Sequence, residues 1–321
     1  MTGPSSTDDM KIIVVSPEYF PEDTLSRLEQ IAQIYSKKLS RKELISEIGE
    51  YDGVLTRVDV RFDSEVLEKA RKLKAIGTAT TGLNHIDVGY ANSRGIKIFN
   101  LSGTHTIPTA EHTFSLILSL ARRVPWAFES LKKGEWERHR FFGSGLEGKT
   151  LGIIGFGRIG SRVAGFAKGF GMKVITYDPY VRESVIRSAG AKKASLDDVL
   201  RSDIISIHAS LSKETKKMIN STAISRMKSS ALLINTARGE IVDEKALLDA
   251  LEKKRIAGAA LDVFADEPLR KNSDLIKYAK LNDNLIITPH LGASTNEAVR
   301  ESAMEIVGKM KDFFSIKAKD G

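Results

Sequence analysis

A glycine-spaced turn constrains the fold more than any other feature of this 321-residue chain. In the segment TLGIIGFGRIG, Gly155, Gly157 and Gly160 come directly after an apolar strand and open a helical pattern. The first glycine permits a tight turn, the second lets a ligand approach the backbone, and the third lets the helix pack closely on the strand. The helix N-terminus offers free N–H groups and partial positive charge to phosphates. The pattern predicts a parallel α/β domain that binds a dinucleotide.

The strand after this helix favours a dinucleotide site over an ordinary glycine-rich loop. It reads KVITYD and ends in Asp178, 18 residues after Gly160, near the spacing of a carboxylate that bonds the ribose hydroxyls. A carboxylate repels a 2′-phosphate, so we expect NAD rather than NADP, although the nearby Arg182 leaves NADP open. Arg158 lies inside the turn and can add a side-chain contact to the phosphates.

Apolar strands alternate with amphipathic helices along the whole chain, which indicates α/β architecture with two doubly wound, Rossmann-like parallel sheets. We predict that residues 103–294 form the NAD-binding domain, with a long helix from about Thr109 to Arg123 that ends before Pro125. Its sheet is expected to have six strands: Thr150 to Ile154, Lys173 to Tyr177, Ile204 to His208, Ala231 to Asn235, Gly258 to Asp262 and Leu285 to Thr288.

The first part of the chain predicts a smaller, flavodoxin-like sheet. Glu22 to Gln33 has helical spacing, and an amphipathic helix from about Asn296 to Phe313 follows the second sheet. Because that last helix must pack somewhere, we expect it to join the first domain. The substrate domain would then be discontinuous and cover residues 10–102 and 295–321. Its predicted strands are Lys11 to Ser16, Gly53 to Thr56, Lys74 to Gly77 and Ile96 to Asn100.

The composition excludes several classes of protein. Apolar residues make up 41% of the chain and charged residues 28%, and no apolar run nears the roughly 18 residues that span a bilayer. Cysteine is absent, which excludes disulfides, thiolate metal sites and cysteine nucleophiles. We expect a cytoplasmic enzyme with no metal and no membrane partner. The net charge of +8 comes from Lys and Arg scattered among Asp and Glu, so we also expect no nucleic-acid partner.

Three reactive side chains follow strands of the predicted second sheet. Arg238 follows ALLINTA, Glu267 follows GAALD, and His290 follows LIITP. Ligands of open α/β sheets bind beyond the carboxyl ends of the strands. A histidine can exchange a hydroxyl proton near neutral pH, a carboxylate can hold its tautomer, and an arginine can bind a carboxylate in a forked geometry. Each residue alone is typical of a surface or turn, but the three together fit hydride transfer on a small 2-hydroxy or 2-keto acid.

Four long segments resemble the D-isomer-specific 2-hydroxyacid dehydrogenase family: LEGKTLGIIGFGRIG, LLINTARGEIVDEKALLDAL, AGAALDVFADEP and PHLGAST. The resemblance covers the chain after Met10 and implies that Arg238, Glu267 and His290 are catalytic. It also implies that Asp262 binds the nicotinamide carboxamide. The cofactor-binding residues predicted from the motif and the resemblance together are Gly155, Gly157, Arg158, Ile159, Gly160, Asp178, Ala209, Thr236, Asp262, Gly292 and Ala293.

The resemblance also implies how the substrate is held. In this family, backbone N–H groups of a turn in the first domain bind the substrate carboxylate, and the matching turn is Thr80-Thr81-Gly82. The chain is most similar to the branch that acts on 3-phosphoglycerate, in which a basic residue matching Arg57 is directed at the substrate. We therefore expect 3-phosphoglycerate and 3-phosphohydroxypyruvate as the substrate pair, which would belong to serine biosynthesis.

Two departures weaken the expectation of a phosphorylated substrate. Thr78 stands where that branch often has a second Arg, and His105 stands where Asn is frequent. Phosphate recognition favours clusters of Arg, so one cation fewer keeps glyoxylate or hydroxypyruvate reduction open as the alternative. Formate oxidation is disfavoured because that branch has Gln in place of Glu267, and phosphite oxidation because Thr81 replaces its Lys.

An alternative of another class is an NAD(H)-sensing corepressor-like scaffold, since such proteins share this fold and can keep the same Arg, Glu and His. The sequence shows no obvious regulatory tail, which favours the enzyme. The segment from Thr109 to Arg140, with Trp126 and Trp136, is an apolar arm with little to cover inside one subunit. We therefore predict a homodimer formed through residues 109–140.

Overall fold

The computed structural model describes residues 10–103 and 106–317. The chain divides into two compact units, of which unit 1 comprises Met1–Thr104 with Ser294–Gly321 and unit 2 comprises His105–Ala293. Unit 1 is therefore built from two separate stretches of chain, so the expectation that the first domain is discontinuous is confirmed.

Unit 1 contains a sheet of five parallel strands, which are β1 Lys11–Val14, β2 Gln33–Ser36, β3 Gly53–Thr56, β4 Ala75–Thr78 and β5 Lys97–Phe99. Their order across the sheet is β2-β1-β3-β4-β5. This is the flavodoxin-like order, in which β2 is added on one side of β1 and the later strands are added on the other side, starting with β3. The predicted class of the first domain is confirmed.

Helices cover both faces of this sheet: α1 Glu22–Glu29, α2 Arg41–Glu47, α3 Ser64–Lys69, α4 Val88–Ser93 and the C-terminal α13 Asn296–Lys317. Successive side chains of a strand point to opposite faces. Accordingly, Ile12 and Val14 pack in one core with Phe314 of α13, while Ile13 packs in the other core with Leu44 of α2. Both cores are buried, which fixes the register of β1.

The sequence prediction missed one strand of unit 1. Glu22 to Gln33 was expected to be a single helix, but α1 ends at Glu29 and Gln33 begins β2. The strand reads QIYS, lies at the edge of the sheet and is only partly buried, so it lacks the apolar run that marks a central strand. Its pairing with β1, in which Lys11 lies opposite Gln33, decides its conformation.

Unit 2 contains a sheet of seven parallel strands, which are β6 Thr150–Ile154, β7 Lys173–Tyr177, β8 Lys192–Lys193, β9 Ile204–Ile207, β10 Leu232–Asn235, β11 Gly258–Leu261 and β12 Leu285–Ile287. Their order is β12-β11-β10-β9-β6-β7-β8. The strands that follow β6 are first added on one side of it, and those from β9 onward are added on the other side. This is the doubly wound arrangement of dinucleotide-binding domains. The six predicted strands are present, and β8 is an additional one. Because β8 is a two-residue edge strand of lysines, no apolar pattern marks it in the sequence.

The helices of unit 2 are α5 Thr106–Arg122, α6 Val124–Lys132, α7 Arg158–Gly169, α8 Glu183–Ser188, α9 Leu196–Leu200, α10 Ser221–Ser225, α11 Glu244–Glu252 and α12 Asp274–Leu281. Buried side chains of β6 serve both faces of the sheet, since Ile153 packs with α5 and α7 while Ile154 packs with the core on the opposite face. The sheet is therefore covered on both sides, as all-parallel sheets are.

The long helix predicted from about Thr109 to Arg123, ending before Pro125, is confirmed as α5. The sequence did not predict α6, which contains this proline in its first turn, where a missing N–H costs no hydrogen bond. The two helices are separated by Arg123 in a left-handed conformation, with φ of 58°. Arg158 was expected inside the glycine turn but is the first residue of α7. Within residues 10–103 and 106–317, no helix is long and apolar enough to cross a bilayer.

Candidate active site

The carboxyl ends of six neighbouring strands in unit 2 carry the predicted site residues. Gly155 follows β6, Asp178 follows β7, and Ala209 follows β9 by two residues. Arg238 lies three residues after β10, and Asp262 directly follows β11. His290 lies three residues after β12. Since the strands are parallel and adjacent, all of these residues lie along one edge of the sheet.

Glu267 and His290 form a hydrogen-bonded pair at this edge. Nδ1 of His290 lies 2.7 Å from Oε2 of Glu267, and Oε1 of Glu267 accepts a bond of 2.9 Å from the amide of Phe264. Burial raises the pKa of Glu267, but the bond and the charge of His290, with the Phe264 amide, lower it by more, so the pKa lies below its usual value. The carboxylate is therefore ionised near neutral pH and accepts the Nδ1–H proton of the imidazole.

The backbone of His290 is held in an unusual conformation. Its φ is 55°, in the left-handed region that a residue with a side chain adopts only when its surroundings impose it. The amide of His290 donates to the carbonyl oxygens of Asp262 and Thr288, both at 3.0 Å. These bonds fix the turn after β12, so the imidazole is presented at the sheet edge with its side chain 45% exposed.

The loop that carries Arg238 is shaped by a buried asparagine. The side-chain amide of Asn235 donates to the carbonyl of Arg238 at 2.9 Å, and its oxygen accepts from the amide of Ala237 at 3.0 Å. Arg238 is exposed, and Nη1 donates to the carbonyl of Ala237 at 2.6 Å. The guanidinium thus keeps most of its N–H donors for a ligand.

The Arg238 loop lies directly against the loop that carries Glu267. A Cβ atom added to Gly239 would overlap the carbonyl group of Phe264 and the amide of Ala265. The amide of Ala265 also donates to Oε1 of Glu244 at 2.8 Å. Only a glycine next to Arg238 lets these two backbones approach so closely, which keeps the Arg238 and Glu267 loops adjacent.

Asp262 is the most heavily bonded carboxylate of the site. Oδ1 accepts from the amide of Leu291 at 2.8 Å, from Oγ1 of Thr288 at 2.6 Å and from Nε2 of His112 at 3.2 Å. Oδ2 accepts from the amide of Gly292 at 2.8 Å. Burial raises the pKa of Asp262, but its hydrogen bonds, that of His112 first, lower it by more, so the net shift is downward. Asp262 therefore fixes the backbone that follows His290.

The glycine turn has the form that a dinucleotide needs. Gly155 has φ of 91°, and a Cβ there would lie 2.6 Å from the amide of Ala209. A Cβ on Gly160 would overlap the carbonyl oxygen of Gly155. At Gly157, by contrast, a Cβ would meet nothing within 4 Å. The open space therefore lies at the N-terminus of α7, whose first turn contains no acidic residue.

These features fit the pyrophosphate of NAD: the free amides of the first turn of α7 include those of Arg158 and Ile159, and open space lies in front of Gly157. Asp178 closes the other end of the turn. Its Oδ2 accepts from the amide of Phe156 at 2.7 Å, and Oδ1 accepts from the amides of Tyr180 and Val181 at 2.9 and 3.0 Å. Burial raises the pKa of Asp178, but these amides lower it by more, so the carboxylate is an anion beside the turn.

The remaining predicted cofactor residues lie on neighbouring loops. Oγ1 of Thr236 lies 2.7 Å from Oγ1 of Thr113 on α5, so its hydroxyl is already engaged. Ala209 lies beside Gly155, and Ala293 is partly buried after Gly292. In the described part of the chain no group of His, Asp and Glu has the arrangement of a metal site.

The predicted substrate residues of unit 1 lie at the carboxyl ends of two adjacent strands. Arg57 follows β3, and the turn from Thr80 to Gly82 follows β4. Oγ1 of Thr80 donates to the carbonyl of Gly82 at 2.8 Å, which closes the turn. Cζ of Arg57 lies 4.1 Å from the centroid of the Tyr19 ring. His105, the second departure from the phosphoglycerate branch, lies outside the described residues.

The position where the phosphoglycerate branch often has Arg is occupied by a fully buried threonine. Oγ1 of Thr78 lies 3.0 Å from Nε2 of His85 and 3.0 Å from Oγ1 of Thr80. Burial lowers the pKa of His85 to about 4, so the imidazole is neutral near pH 7. This network positions the turn, but it supplies no positive charge.

Sequence reasoning did not identify His112 as part of the site. It treated this residue as one of several histidines without distinguishing features, whereas Nε2 of His112 contacts Asp262 and Thr288. The contact joins residues that are 150 positions apart, so local spacing cannot reveal it. The available signal was a lone histidine in the otherwise apolar helix pattern TAEHTFSLILSL.

Comparisons with known proteins agree with this geometry. Residues 114–292 match the family model described as D-isomer specific 2-hydroxyacid dehydrogenase, NAD binding domain. The chain is 41% identical to a D-3-phosphoglycerate dehydrogenase of Methanocaldococcus jannaschii over 94% of its own length and 57% of that protein. It is 40% identical to a glyoxylate reductase of Thermococcus litoralis over 94% of its length and 92% of that protein.

Among solved structures, D-lactate dehydrogenase from Aquifex aeolicus, complexed with NAD and lactic acid, is similar with a TM-score of 0.78. It shares 32% sequence identity, and the match covers 97% of this chain and 96% of that one. The chain belongs to the D-isomer-specific 2-hydroxyacid dehydrogenase family, and its NAD-binding domain includes residues 114–292. The predicted family and cofactor are confirmed. The chain spans about half the length of the D-3-phosphoglycerate dehydrogenases that it matches.

Proposed function

We propose that this protein is an NAD-dependent oxidoreductase that interconverts a small D-2-hydroxy acid and its 2-keto acid. The observation that carries the proposal is the Glu267–His290 hydrogen bond of 2.7 Å, at the sheet edge that also bears Arg238 and the glycine turn. Unit 2 supplies the cofactor site and the catalytic residues, corresponding to the predicted domain 103–294. Unit 1 supplies substrate recognition, corresponding to the predicted domain 10–102 with 295–321.

His290 acts as the acid–base group. Nδ1–H is held by Glu267, so the lone pair of the neutral imidazole is on Nε2. When a hydroxy acid is oxidised, Nε2 takes the hydroxyl proton, and when a keto acid is reduced, the imidazolium returns it. Bound NAD supplies the hydride acceptor, and NADH the donor. Glu267 stabilises the positive charge that forms on the ring, because its carboxylate stays ionised.

Arg238 binds and orients the substrate. Its exposed guanidinium uses one N–H on its own loop and keeps the others for the carboxylate and the 2-oxygen of the acid. A planar, permanently charged donor fork suits that task because two parallel bonds fix the plane of a carboxylate. In unit 1, Thr80, Thr81 and Gly82 remain the turn predicted to offer backbone N–H groups to a substrate carboxylate.

The best candidate for the substrate pair is 3-phosphoglycerate and 3-phosphohydroxypyruvate. Its support is the 41% identity to a protein with that name, together with Arg57, which has no ion pair among residues 10–103 and 106–317. Glyoxylate or hydroxypyruvate is the second candidate. It is favoured by the glyoxylate reductase that matches over nearly its whole length and by the uncharged Thr78.

The test is NADH oxidation by the purified protein with glyoxylate, hydroxypyruvate and 3-phosphohydroxypyruvate. We expect turnover, with the highest kcat/KM for the phosphorylated acid. His290→Ala should lower kcat by roughly 10²- to 10⁴-fold, the usual contribution of a general acid–base group. Glu252→Ala, which changes an exposed residue of the same unit outside the predicted dimer arm, is the control. The proposal would be contradicted if none of the three acids were reduced, or if His290→Ala had the same kcat as the wild type.

We further propose that the protein is a homodimer through residues 109–140. The helix α6 and the segment after it expose Val124, Phe128, Leu131, Trp136 and Phe142, each more than half accessible. A cluster of large exposed apolar side chains is typical of an interaction surface. Static light scattering should give twice the chain mass at micromolar concentration, and Phe128→Glu should shift it toward the monomer. A wild-type monomer would reject this proposal.

A further inference from the structure

We propose that Tyr19 is a positioning residue that aims the guanidinium of Arg57 at the phosphate of the substrate. The inference rests on the proposed function, because it concerns selectivity for a phosphorylated 2-hydroxy or 2-keto acid. It assigns a specificity role to the loop after β1, a segment that neither the glycine motif nor the Arg238, Glu267 and His290 set involves.

The guanidinium of Arg57 lies over the ring of Tyr19. Cζ of Arg57 lies 4.1 Å from the centroid of the Tyr19 ring, and both residues are half-buried. A guanidinium that stacks on an aromatic face is stabilised through its own face. Its N–H donors lie in the plane of the group and stay available for a forked pair of bonds to phosphate oxygens. The stack thus orients the cation without consuming its donors.

The backbones of the two residues are tied together by a single buried serine. Oγ of Ser16 accepts a bond of 3.2 Å from the amide of Arg57 and donates one of 2.9 Å to Oδ1 of Asp59. The carbonyl of Ser16 accepts from the amide of Tyr19 at 3.0 Å. Because Ser16 is fully buried, the loop after β1 and the loop after β3 are held in one relative position. The ring and the guanidinium therefore meet in a defined register.

Arg57 forms no ion pair within residues 10–103 and 106–317, although acidic side chains lie on both loops. Glu18 pairs with Lys38 at 3.0 Å, and Oδ1 of Asp59 accepts from Ser16. Arg57 thus lies without a paired carboxylate among these residues at the carboxyl end of β3, next to the strand whose carboxyl end bears the Thr80 turn. An anionic ligand group is the chemical complement of such a site.

The orientation of Arg57 should affect phosphate binding more in this protein than in members of the phosphoglycerate branch that have a second Arg. Thr78 takes that second position, and its hydroxyl is engaged with His85 and Thr80 inside the core. Of these two positions only that of Arg57 carries a cation, so we expect Arg57 to provide the discrimination between a phosphorylated and an unphosphorylated acid. A freely rotating Arg would lose side-chain entropy each time it bound phosphate, whereas a stacked one has already lost part of it.

The experiment measures kcat/KM for 3-phosphohydroxypyruvate and for hydroxypyruvate, which differ only by the phosphate, and takes their ratio. Tyr19→Leu removes the ring, and Tyr19→Gln is a second ring-free variant in case the first does not fold. Both should lower the ratio roughly five- to tenfold, the scale of a partly desolvated cation–π contact, through KM for the phosphorylated acid. Tyr19→Phe keeps the ring face and should stay within twofold of the wild type.

Two controls separate positioning from a general structural effect. Tyr35→Leu changes another half-buried tyrosine of unit 1, which packs on Tyr51, and should leave the ratio unaltered. In an Arg57→Gln background, which itself lowers the ratio, Tyr19→Leu should add no further loss. An unaltered ratio in both ring-free variants, an equal loss in Tyr19→Phe, or a further loss in the Arg57→Gln background would overturn the inference while the proposed function stands. A wild type that reduces 2-keto acids without preferring the phosphorylated one would overturn the substrate assignment and this inference together.

Discussion

Nε2 of His112, on α5, lies 3.2 Å from Oδ1 of Asp262, at the end of β11, although 150 residues separate the two in the chain. The same nitrogen lies 3.2 Å from Oγ1 of Thr288. Asp262 in turn accepts from the amides of Leu291 and Gly292, which directly follow His290. A helix of the predicted dimer arm is thus linked through one carboxylate to the turn that presents the proposed acid–base group.

The first prediction concerns this link. His112→Ala removes one of the donors that orient Asp262, the residue proposed to bind the nicotinamide carboxamide. We expect the Kd for NADH to rise roughly fivefold, the usual effect of losing about 1 kcal/mol from one hydrogen bond. Isothermal titration calorimetry measures it, with Glu252→Ala as the control. An unchanged Kd would show that His112 has no part in holding Asp262.

The second prediction concerns Glu267→Gln. The amide can still bond Nδ1 of His290, but it carries no negative charge to stabilise the imidazolium, and it can also donate and so favour the wrong tautomer. We expect kcat to fall by roughly 10²-fold or more.

The measurement is kcat in the oxidative direction at pH 7.5. Since the pKa of Glu267 lies below its usual value, this carboxylate is ionised at that pH in the wild type. A Glu252→Gln variant, on the exposed end of α11, is the control. A variant at Glu267 with wild-type kcat would refute the proposed role.

The third prediction concerns Gly239, where the Arg238 and Glu267 loops meet. Gly239→Ala places a methyl group on the backbone of Phe264 and Ala265, which cannot move aside as a flexible side chain could. We expect the free energy of unfolding to fall by roughly 2–4 kcal/mol and the activity to fall with it. Urea unfolding at pH 7.5 measures the first effect, and NADH oxidation the second.

A matched control is available in the same unit. Gly165 lies within α7, and a Cβ there would meet nothing within 4 Å. Gly165→Ala should raise the free energy of unfolding by roughly 0.5–1 kcal/mol, because alanine is the better helix former. Equal stability of Gly239→Ala and the wild type would mean that the two loops are not packed as described.

The fourth prediction concerns pH and His85. Burial lowers its pKa to about 4 in the folded protein, from about 6.5 in the unfolded chain. The unfolded chain therefore binds more protons between these values, so stability is lost as the pH falls from 6.5 toward 4. His85→Gln keeps an amide near Thr78 but cannot ionise. Between pH 7.5 and pH 5 the wild type should lose about 2 kcal/mol more stability than the variant.

Urea unfolding at the two pH values measures this difference, and the loss should be absent between pH 7.5 and pH 9. His139→Gln, which changes an exposed histidine, should behave as the wild type does. If His85→Gln and the wild type lost the same stability on acidification, the neutral, buried state of His85 would be wrong.

Much of the fold could be predicted because it depends on local pattern. The central strands of both sheets are continuous apolar runs, and the glycine turn marks where β6 passes into α7. The edge strands β2 and β8 escaped prediction, since QIYS and KK contain no such run and adopt strand conformation through pairing with their neighbours. The end of α5 before Pro125 was predicted, but the helix α6 was not, because a proline in a first helical turn looks like a helix end in the sequence.

The candidate site divides in the same way. The identities of Arg238, Glu267 and His290, and their positions after successive strands, follow from the sequence and from the family resemblance, and their roles stay predictions until the variants are measured. Three contacts depend on side chains that are distant in the chain and could not be predicted. They are the 2.7 Å bond between Glu267 and His290, the contact of His112 with Asp262, and the contact of Arg57 with the Tyr19 ring.

The sequence by itself determined the class of fold, the family and the cofactor, because backbone conformation and apolar periodicity are local properties that each segment carries alone. The tertiary structure decided the burial and pairing of side chains: Thr78 is buried in the core beside a neutral His85, while Arg57 lies over the Tyr19 ring and has no ion pair within residues 10–103 and 106–317. The burial and the pairing of these side chains arise only when separate strands pack together and place their side chains at one edge of a sheet. On the proposed function, the choice of substrate depends on those two properties and so on tertiary contacts.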